Sequence, residues 1–441
     1  MNVCEKRAKS EAGDEVDRIS ALPGHIRESI LECLPMKAAM RTSLLARKWR
    51  YCWTGVRHIN FDDMERENAK LLHRVVDRVL LIHSGPISSF YLQIPKTSNH
   101  RKFPVSDWFH VLSKNGIQDI YFDAANCEPQ DFQLPSSLFQ CRDLKILILY
   151  FCTLTVPPDF KGFYNLVDLL INSCKLPSHI LGSLISQCPL LETLSLSCTC
   201  TEYSEQPLVI DALNLRDVRY EDDLWGAIIF KNVPKLTYVS LMAFERDGMD
   251  LERPCSTWGL ICSLSLIKEL ALDISLLGPV IINVPRCLPT MFQNLKTLTL
   301  RSVDACVEDH MRFVLCLIRS SPGLQDLTIY LELECMKTRF WPESEKSRET
   351  AQKLLETEAK EHCKLSNLKT VVLYWFGGSR HEIMLVKILL SRCPNLESFK
   401  VTLDDKSTAE DVRTQISREF EKFPYKDKLT YYHSFFLTFY R

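Results

Sequence analysis

The chain has 441 residues, of which 46% are hydrophobic, so it is long enough to bury a large core and to form two or three compact units. Its 54 basic and 55 acidic side chains give a formal net charge of -1. This balance gives no global electrostatic argument for nucleic acid or a membrane surface as a partner, and we expect neither.

Residues 1–16 are polar and charged and are predicted to form a flexible leader, since they lack the apolar region of a secretory signal. No stretch approaches roughly 18 uninterrupted apolar residues, so no membrane-spanning helix is predicted. The 18 cysteines are therefore interpreted as reduced thiols, many of them in the core. Paired C-x-x-C units at zinc spacing do not occur in the sequence, so we predict neither a metal site nor a cofactor.

Three short helices are predicted within residues 17–62. Pro23 suits the first turn of the first helix, apolar residues then recur every four positions, and Pro35 ends the helix. Two more short helices are predicted from about 37 to 45 and from about 47 to 53. A unit of this size makes a very small core and would gain stability by docking on a partner.

This segment resembles a plant F-box. It reads DRIS-x-LP, then IL-x-x-LP, then RTSLLARKWRYCW and finally VRHINFDD, with Gly24 at a position where the family usually has an acidic residue. The resemblance implies that the helices bind a Skp-type adaptor, which bridges to a cullin–RING scaffold in an SCF ubiquitin ligase. The adaptor-binding residues that it implies are Leu22, Pro23, Ile26, Ile30, Leu31, Leu34, Leu44, Leu45 and Trp49. The alternative interpretation is a small helical cap on the domain that follows.

A repeated phrase, L-x-x-L-x-L-x-x-C, begins at Leu144 and again at Leu166. Looser copies begin at Ile87, Ile117, Leu191, Ile210, Leu236, Ile267, Leu295, Leu324, Leu368 and Leu396. Their spacing is close to the roughly 20–29 residues of a leucine-rich repeat, in which each unit contributes one short parallel strand. We therefore predict an α/β fold: an irregular leucine-rich-repeat solenoid over residues 63–340, with the strands on the concave face of an arc. Cys152 and Cys174 share one repeat position and are interpreted as structural.

Residues at the third, fifth and seventh positions of the phrase are predicted to face the concave side, because strand side chains alternate in direction. Tyrosine and arginine among them are common interface anchors, although several could merely cover neighbouring strands. The predicted target-binding residues are Tyr91, Tyr121, Asp123, Tyr150, Asn172, Tyr238, Arg301, Tyr330, Tyr374 and Lys400.

The C-terminal third begins with a strongly charged segment, residues 341–361, which predicts a helical insertion with a solvated face. Residues 362–441 resemble the FBD module that follows the repeats in many plant F-box proteins. This part reads as a strand, a turn at Gly377-Gly378, an amphipathic helix and another strand, and residues 431–440 predict a final strand. We expect the segment to close the arc.

The sequence shows no catalytic motif, and its 11 histidines, His310 among them, are scattered. We therefore predict no catalysis by this chain, and the F-box resemblance implies a substrate receptor that presents a target protein for ubiquitination by other subunits. A binding scaffold that does not promote degradation and a small-molecule co-receptor are the alternatives. The expected location is the nucleus, the cytoplasm or both, and the target cannot be read from repeat positions that vary freely.

Overall fold

Short N-terminal helices lead into a long parallel sheet that carries helices on one face. The computed structural model describes residues 19–62, 71–94, 103–125, 132–197, 207–221, 228–242, 257–274, 284–332, 345–360, 364–403, 418 and 429–433. None of the helices in these ranges combines the length and the apolar character needed to cross a membrane.

The first two helices each begin directly after a proline, as expected for a residue whose φ suits a helix start. Helix α1 spans Gly24–Glu32 and follows Pro23, and α2 spans Met36–Arg41 and follows Pro35. The predicted second helix is too long, and the predicted third helix is present as two 3-10 segments and not as one α-helix. Beyond α2 the chain forms the short 3-10 segments Thr42–Leu44, Arg47–Trp49 and Cys52–Gly55.

Local hydrogen bonding explains this early end of α2. The hydroxyls of Thr42 and Ser43 donate to the carbonyl oxygens of Ala39 and Met40, each at 2.6 Å, and so compete with the helical backbone bonds. Ala46 then adopts an extended conformation, with φ −157° and ψ 160°, which separates the next segment.

Sixteen strands follow within the described ranges, most of them in one sheet. They are β1 His58–Asn60, β2 Ser89–Gln93, β3 Asp119–Asp123, β4 Ile146–Tyr150, β5 Asp168–Asn172, β6 Thr193–Ser197, β7 Leu208–Asp211, β8 Asp217–Glu221, β9 Ile228–Lys231, β10 Tyr238–Met242, β11 Glu269–Asp273, β12 Thr297–Val303, β13 Asp326–Leu331, β14 Thr370–Phe376, β15 Ser398–Leu403 and β16 Leu429–His433. All except β7 and β9 form a parallel sheet in which the order in space follows the order in the chain. Strands β7 and β9 make a separate parallel pair.

The other α-helices in the described ranges each contribute side chains to the buried core. They are α3 Leu72–Ile82, α4 Val105–Lys114, α5 Ser178–Ser186, α6 Thr257–Ser263, α7 Glu308–Arg319, α8 Glu345–Ala359 and α9 Arg380–Arg392. Phe109 of α4, for example, meets Phe122 of β3 edge to face at 5.9 Å. In most strands of the main sheet alternate residues are buried in this way, so the others lie on the opposite face, which we call the concave face.

The predicted repeat frame is confirmed for every copy except one. The copy at Ile210 is wrong, since Leu213 is exposed and the strand that joins the main sheet is β8. Its buried frame is Leu215, Val218 and Tyr220, in which a tyrosine takes the place of a leucine and hides the pattern. The turn at Gly377-Gly378 and the following helix, α9, are confirmed. The predicted final strand is present as β16, which spans residues 429–433. Residues 434–440 of that prediction lie outside the described part.

Two further contacts join successive repeats. The thiols of Cys152 and Cys174 lie 3.3 Å apart and are buried, which supports their predicted structural role; burial raises the pKa of the Cys152 thiol well above its usual range. An asparagine that precedes the first leucine of a phrase donates its side-chain amide to a carbonyl oxygen of the preceding repeat. This bond is made by Asn165 (3.0 Å), Asn214 (2.7 Å), Asn294 (3.4 Å), Asn367 (2.8 Å) and Asn395 (2.8 Å). The Asn-Leu pair was a usable signal in the sequence.

The charged segment forms helix α8, but the prediction of a solvated face covers only part of it. Ala351 and Leu355 are fully buried, and the carboxylate of Glu358 lies in the same stripe. This carboxylate pairs with Arg319 of α7 and, at 3.0 Å, with Arg392 of α9. The helix is therefore fastened to its neighbours by a buried ion-pair triad.

One of the scattered histidines, His310, is buried in α7 and accepts a hydrogen bond from the Asp304 backbone N–H at 3.1 Å. Burial lowers the pKa of His310 from 6.5 to about 4. Between these two pH values His310 is protonated in the unfolded chain but neutral in the folded chain. Its contribution to the free energy of unfolding is therefore complete above pH 6.5 and is lost as the pH falls towards 4.

We expect the stability difference between the wild type and His310→Gln to shrink by about 2 kcal/mol between pH 7.5 and pH 5. Glutamine keeps a hydrogen-bond acceptor but does not titrate. Urea unfolding of both proteins at each pH measures this difference, and the shared contribution of carboxylates such as Asp168, whose pKa burial raises, cancels in it. Equal pH slopes for the two proteins would contradict the prediction.

Candidate functional site

The N-terminal helices expose apolar side chains. Leu44 and Leu45 are 85% and 74% exposed. Ile26 and Ile30 lie on one face of α1 and Leu34 lies just beyond its end, and each of the three is 38–39% exposed. Pro23 is also exposed, and Leu22 is half-buried. Covering one leucine of this kind is worth about 1.5–3 kcal/mol, so a partner that covered both Leu44 and Leu45 would gain substantial free energy.

Two of the predicted adaptor-binding residues do not lie on this exposed surface. Leu31 and Trp49 are buried inside the helical module, and the indole N–H of Trp49 donates to the Ser20 hydroxyl at 3.0 Å. They are the large apolar residues that a module of this size needs for its own core. The structure therefore gives them a packing role beneath the exposed residues.

The helical module and the sheet share their first strand. Val56, Ile59 and Phe61 are buried and repeat the spacing of the solenoid phrase, and β1 pairs in parallel with β2. The predicted boundary after residue 62 thus follows a strand of the main sheet. Further bonds cross the joint, since the Ser84 backbone N–H donates to the Thr54 carbonyl at 2.9 Å. This shared strand sets how the exposed apolar residues are oriented relative to the concave face.

All ten predicted target-binding residues lie on the concave side of the strands. Tyr91 and Tyr121 are register partners, as are Tyr330 and Tyr374. A third row brings together Asp123, Tyr150 and Asn172. Tyr238, Arg301 and Lys400 occupy strands β10, β12 and β15. Asp123 is the buried member of the set, and Lys400 is exposed.

At the N-terminal end of the arc, three tyrosines form a cluster. The rings of Tyr91 and Tyr121 stack at 4.0 Å with an interplanar angle of 9°, and Tyr150 tilts against Tyr121 at 5.6 Å. Burial raises the pKa of Asp123, while hydrogen bonds from the Ala125 N–H and the Tyr121 side chain lower it. Burial also raises the pKa of the Tyr121 phenol, with help from its hydrogen bond to Tyr91 and from the charge of Asp123. The cluster is a preformed aromatic surface with a carboxylate at its edge.

In the middle of the arc lies Arg219, which the sequence analysis missed because the repeat frame around Ile210 was wrong. Its guanidinium donates to both carboxylate oxygens of Asp217 at 3.2 Å and lies 5.4 Å from the centre of the Tyr238 ring. Burial and the charge of Asp217 raise the pKa of Asp168, and Arg219 lowers it. The positive charge of Arg219 is therefore largely neutralised by the neighbouring Asp217 carboxylate.

A second aromatic cluster lies towards the C-terminal end. Tyr330 and Tyr374 stack at 4.6 Å with an interplanar angle of 12°, and Trp375 meets Tyr330 edge to face at 5.3 Å. The guanidinium carbon of Arg301 is 4.9 Å from the centre of the Tyr330 ring. Sequence reasoning missed Trp375, because it occupies the eighth position of its phrase, outside the alternation used for the prediction.

Comparison with known proteins agrees with this architecture. The F-box domain family model matches residues 19–60, and a model described as FBD-associated F-box protein At5g56370, LRR repeats, matches residues 105–329. The F-box/FBD/LRR-repeat protein At1g13570 of Arabidopsis thaliana is 32% identical over 420 residues, which cover 92% of this chain and 96% of that protein. The FBD-associated F-box protein At5g56370 of the same plant is 27% identical over 341 residues, or 71% of this chain and 75% of that protein.

Proposed function

Since this chain belongs to the F-box/FBD/LRR-repeat family, for which a general role as an SCF substrate adaptor follows from the F-box, we propose that it is the substrate-recognition subunit of an SCF-type ubiquitin ligase. The N-terminal helices dock on a Skp-type adaptor and the concave face holds a target protein. The chain contributes proximity and orientation, and other subunits carry out ubiquitin transfer in the nucleus, the cytoplasm or both.

The observation that carries the proposal is the exposure of Leu44 and Leu45 within the segment that matches the F-box. Large apolar side chains at such exposure, beside the half-exposed face of α1, suit a surface that a partner covers. The strand shared with the arc supports the second half of the proposal, because a fixed geometry between adaptor and target favours transfer to particular lysines of the target.

The test is capture of a purified plant Skp-type adaptor by the full chain and by the double variant Leu44→Asp/Leu45→Asp. We expect the variant to lose at least about tenfold in affinity, since a carboxylate would be buried in an apolar contact. Both side chains are exposed in the free protein, so the fold is unaffected. Leu81→Asp is the matched control, because Leu81 is an 84% exposed leucine of α3, and it should bind like the wild type.

A wild type that fails to capture the adaptor, or a double variant that captures it equally well, would refute the adaptor-binding role. Deleting residues 1–65 is a poor substitute for these point variants. The deletion removes β1 and leaves β2 as an open sheet edge, with Phe90 losing its edge-to-face neighbour Phe61 at 6.0 Å.

A further inference from the structure

Two cations on the concave face flank the C-terminal aromatic cluster. Arg301 lies on β12 and Lys400 on β15, and the rings of Tyr330 and Tyr374 occupy the two strands between them. Among the described residues, no ion pair or hydrogen bond engages the Arg301 guanidinium or the Lys400 ammonium, and the buried Arg301 Nε has no hydrogen-bond partner. These cations differ from Arg219, which is bound to Asp217.

Trp375 adds a strained residue to this surface. It has a left-handed backbone, with φ +61°, at a bulge where the register between β14 and β15 shifts. The equivalent eighth position of other repeats is also left-handed, at Phe151, Ser173 and Ser302. A left-handed conformation costs a non-glycine residue about 1–2 kcal/mol, yet here it holds an indole that stays 41% exposed beside Tyr330. The bend is common to several repeats, and what distinguishes this one is an exposed indole beside two cations without ion pairs among the described residues, which suits a binding surface.

We propose that Arg301, Lys400 and the aromatic side chains between them bind an acidic peptide segment of the target protein. This inference rests on the proposed function, since it takes the concave face as the target-binding face. Lys400 is the register partner of Val372, two residues before Tyr374. Three strand spacings of about 4.8 Å and this two-residue offset place the Cα atoms of Arg301 and Lys400 about 16 Å apart, a span that two long acidic side chains on an extended peptide can bridge. An extended peptide rises about 3.3 Å per residue, so carboxylates four residues apart span about 13 Å and present the residue between them on the same side. The proposed peptide segment therefore has acidic residues at its first and fifth positions and an apolar or aromatic residue at its third position.

A single-stranded nucleic acid would also suit cations and aromatic rings. Its phosphates would, however, meet the carboxylate of Asp326, which lies on β13 between the strands of the two cations. The peptide is favoured because its charge can be confined to the ends of the aromatic cluster.

The test uses fluorescence anisotropy with the full chain and a labelled peptide in which two glutamates flank a phenylalanine at alternate positions. We expect saturable binding with Kd below about 1 mM, weakened by salt and by replacement of the phenylalanine with serine, and no binding when lysines replace the glutamates. Arg301→Gln and Lys400→Gln should each reduce affinity about tenfold. Trp375→Asn, which tolerates the left-handed backbone, should also reduce it.

Arg219→Gln is the matched control, and it should leave peptide binding unchanged. The inference is overturned if the peptide does not saturate by about 1 mM, if Arg219→Gln weakens it as much as Arg301→Gln, or if oligo(dT) of equal charge binds more tightly. Adaptor capture by the same proteins separates the two proposals. Retained adaptor binding without peptide binding refutes only this inference, whereas loss of adaptor binding by the wild type refutes the proposed function.

Discussion

Replacement of Glu358 by alanine is expected to lower the free energy of unfolding by about 3–5 kcal/mol. The carboxylate is 8% exposed, and its partners Arg319 and Arg392 are 9% and 5% exposed. Burial acts to raise the pKa of Glu358, but hydrogen bonds and charges from both arginines outweigh it and lower the pKa. Without the carboxylate, two buried guanidinium groups lose their counter-charge, and the penalty of a buried unpaired ion is much larger than the net value of the pair.

Urea unfolding followed by far-UV circular dichroism measures this loss, with Glu356→Ala as the matched control on the same helix. Glu356 pairs with Arg380 at 3.7 Å, but the two side chains are 46% and 70% exposed, so its removal should change stability by less than about 1 kcal/mol. Glu358→Gln, which keeps the shape and a hydrogen-bond acceptor, should lie between the two. Equal losses for Glu358→Ala and Glu356→Ala would show that the triad does not fasten α8.

The repeat frame could be predicted because each strand of a solenoid must bury the same positions. The leucines that recur at those positions are visible one phrase at a time, and the alternation between them places the concave residues correctly. The prediction of the repeat frame was wrong in one repeat, where a tyrosine fills a buried position of the phrase. Tyr220 fills a leucine position in β8, and the frame slipped to Ile210, which belongs to the separate strand β7.

Contacts that depend on distant parts of the chain could not be predicted in this way. Glu358 lies 39 residues from Arg319 in sequence, and nothing local distinguishes it from the solvated charges of α8. Burial of Leu31 and Trp49 likewise depends on how the short helical segments pack against one another. A short helix with apolar residues on several faces can bury any one of those faces, so the sequence alone does not select it. The left-handed backbone of Trp375 belongs to a bend that recurs at the eighth position of several phrases, at Phe151, Ser173 and Ser302, and residue type does not signal it.

The second large effect is expected at Gly162, which lies between β4 and β5. Its φ is +110°, a conformation that side chains with a Cβ rarely adopt, and a Cβ at this position would lie 1.8 Å from the carbonyl oxygen of Gln187. That oxygen belongs to the residue that ends α5, so it can yield only if the backbone of the next repeat moves. We therefore expect Gly162→Ala to destabilise the protein by at least about 3 kcal/mol, combining backbone strain with displacement of α5.

Gly24→Ala is the matched control for Gly162→Ala. Gly24 opens α1, and a Cβ there would meet nothing within 4 Å, so alanine should be neutral or should stabilise the protein by up to about 1 kcal/mol. Thermal unfolding of the three proteins under one buffer condition compares them directly. A wild-type melting temperature for Gly162→Ala would mean that the loop before β5 rearranges freely, and the close approach of Gly162 to α5 would then have no part in holding successive repeats together.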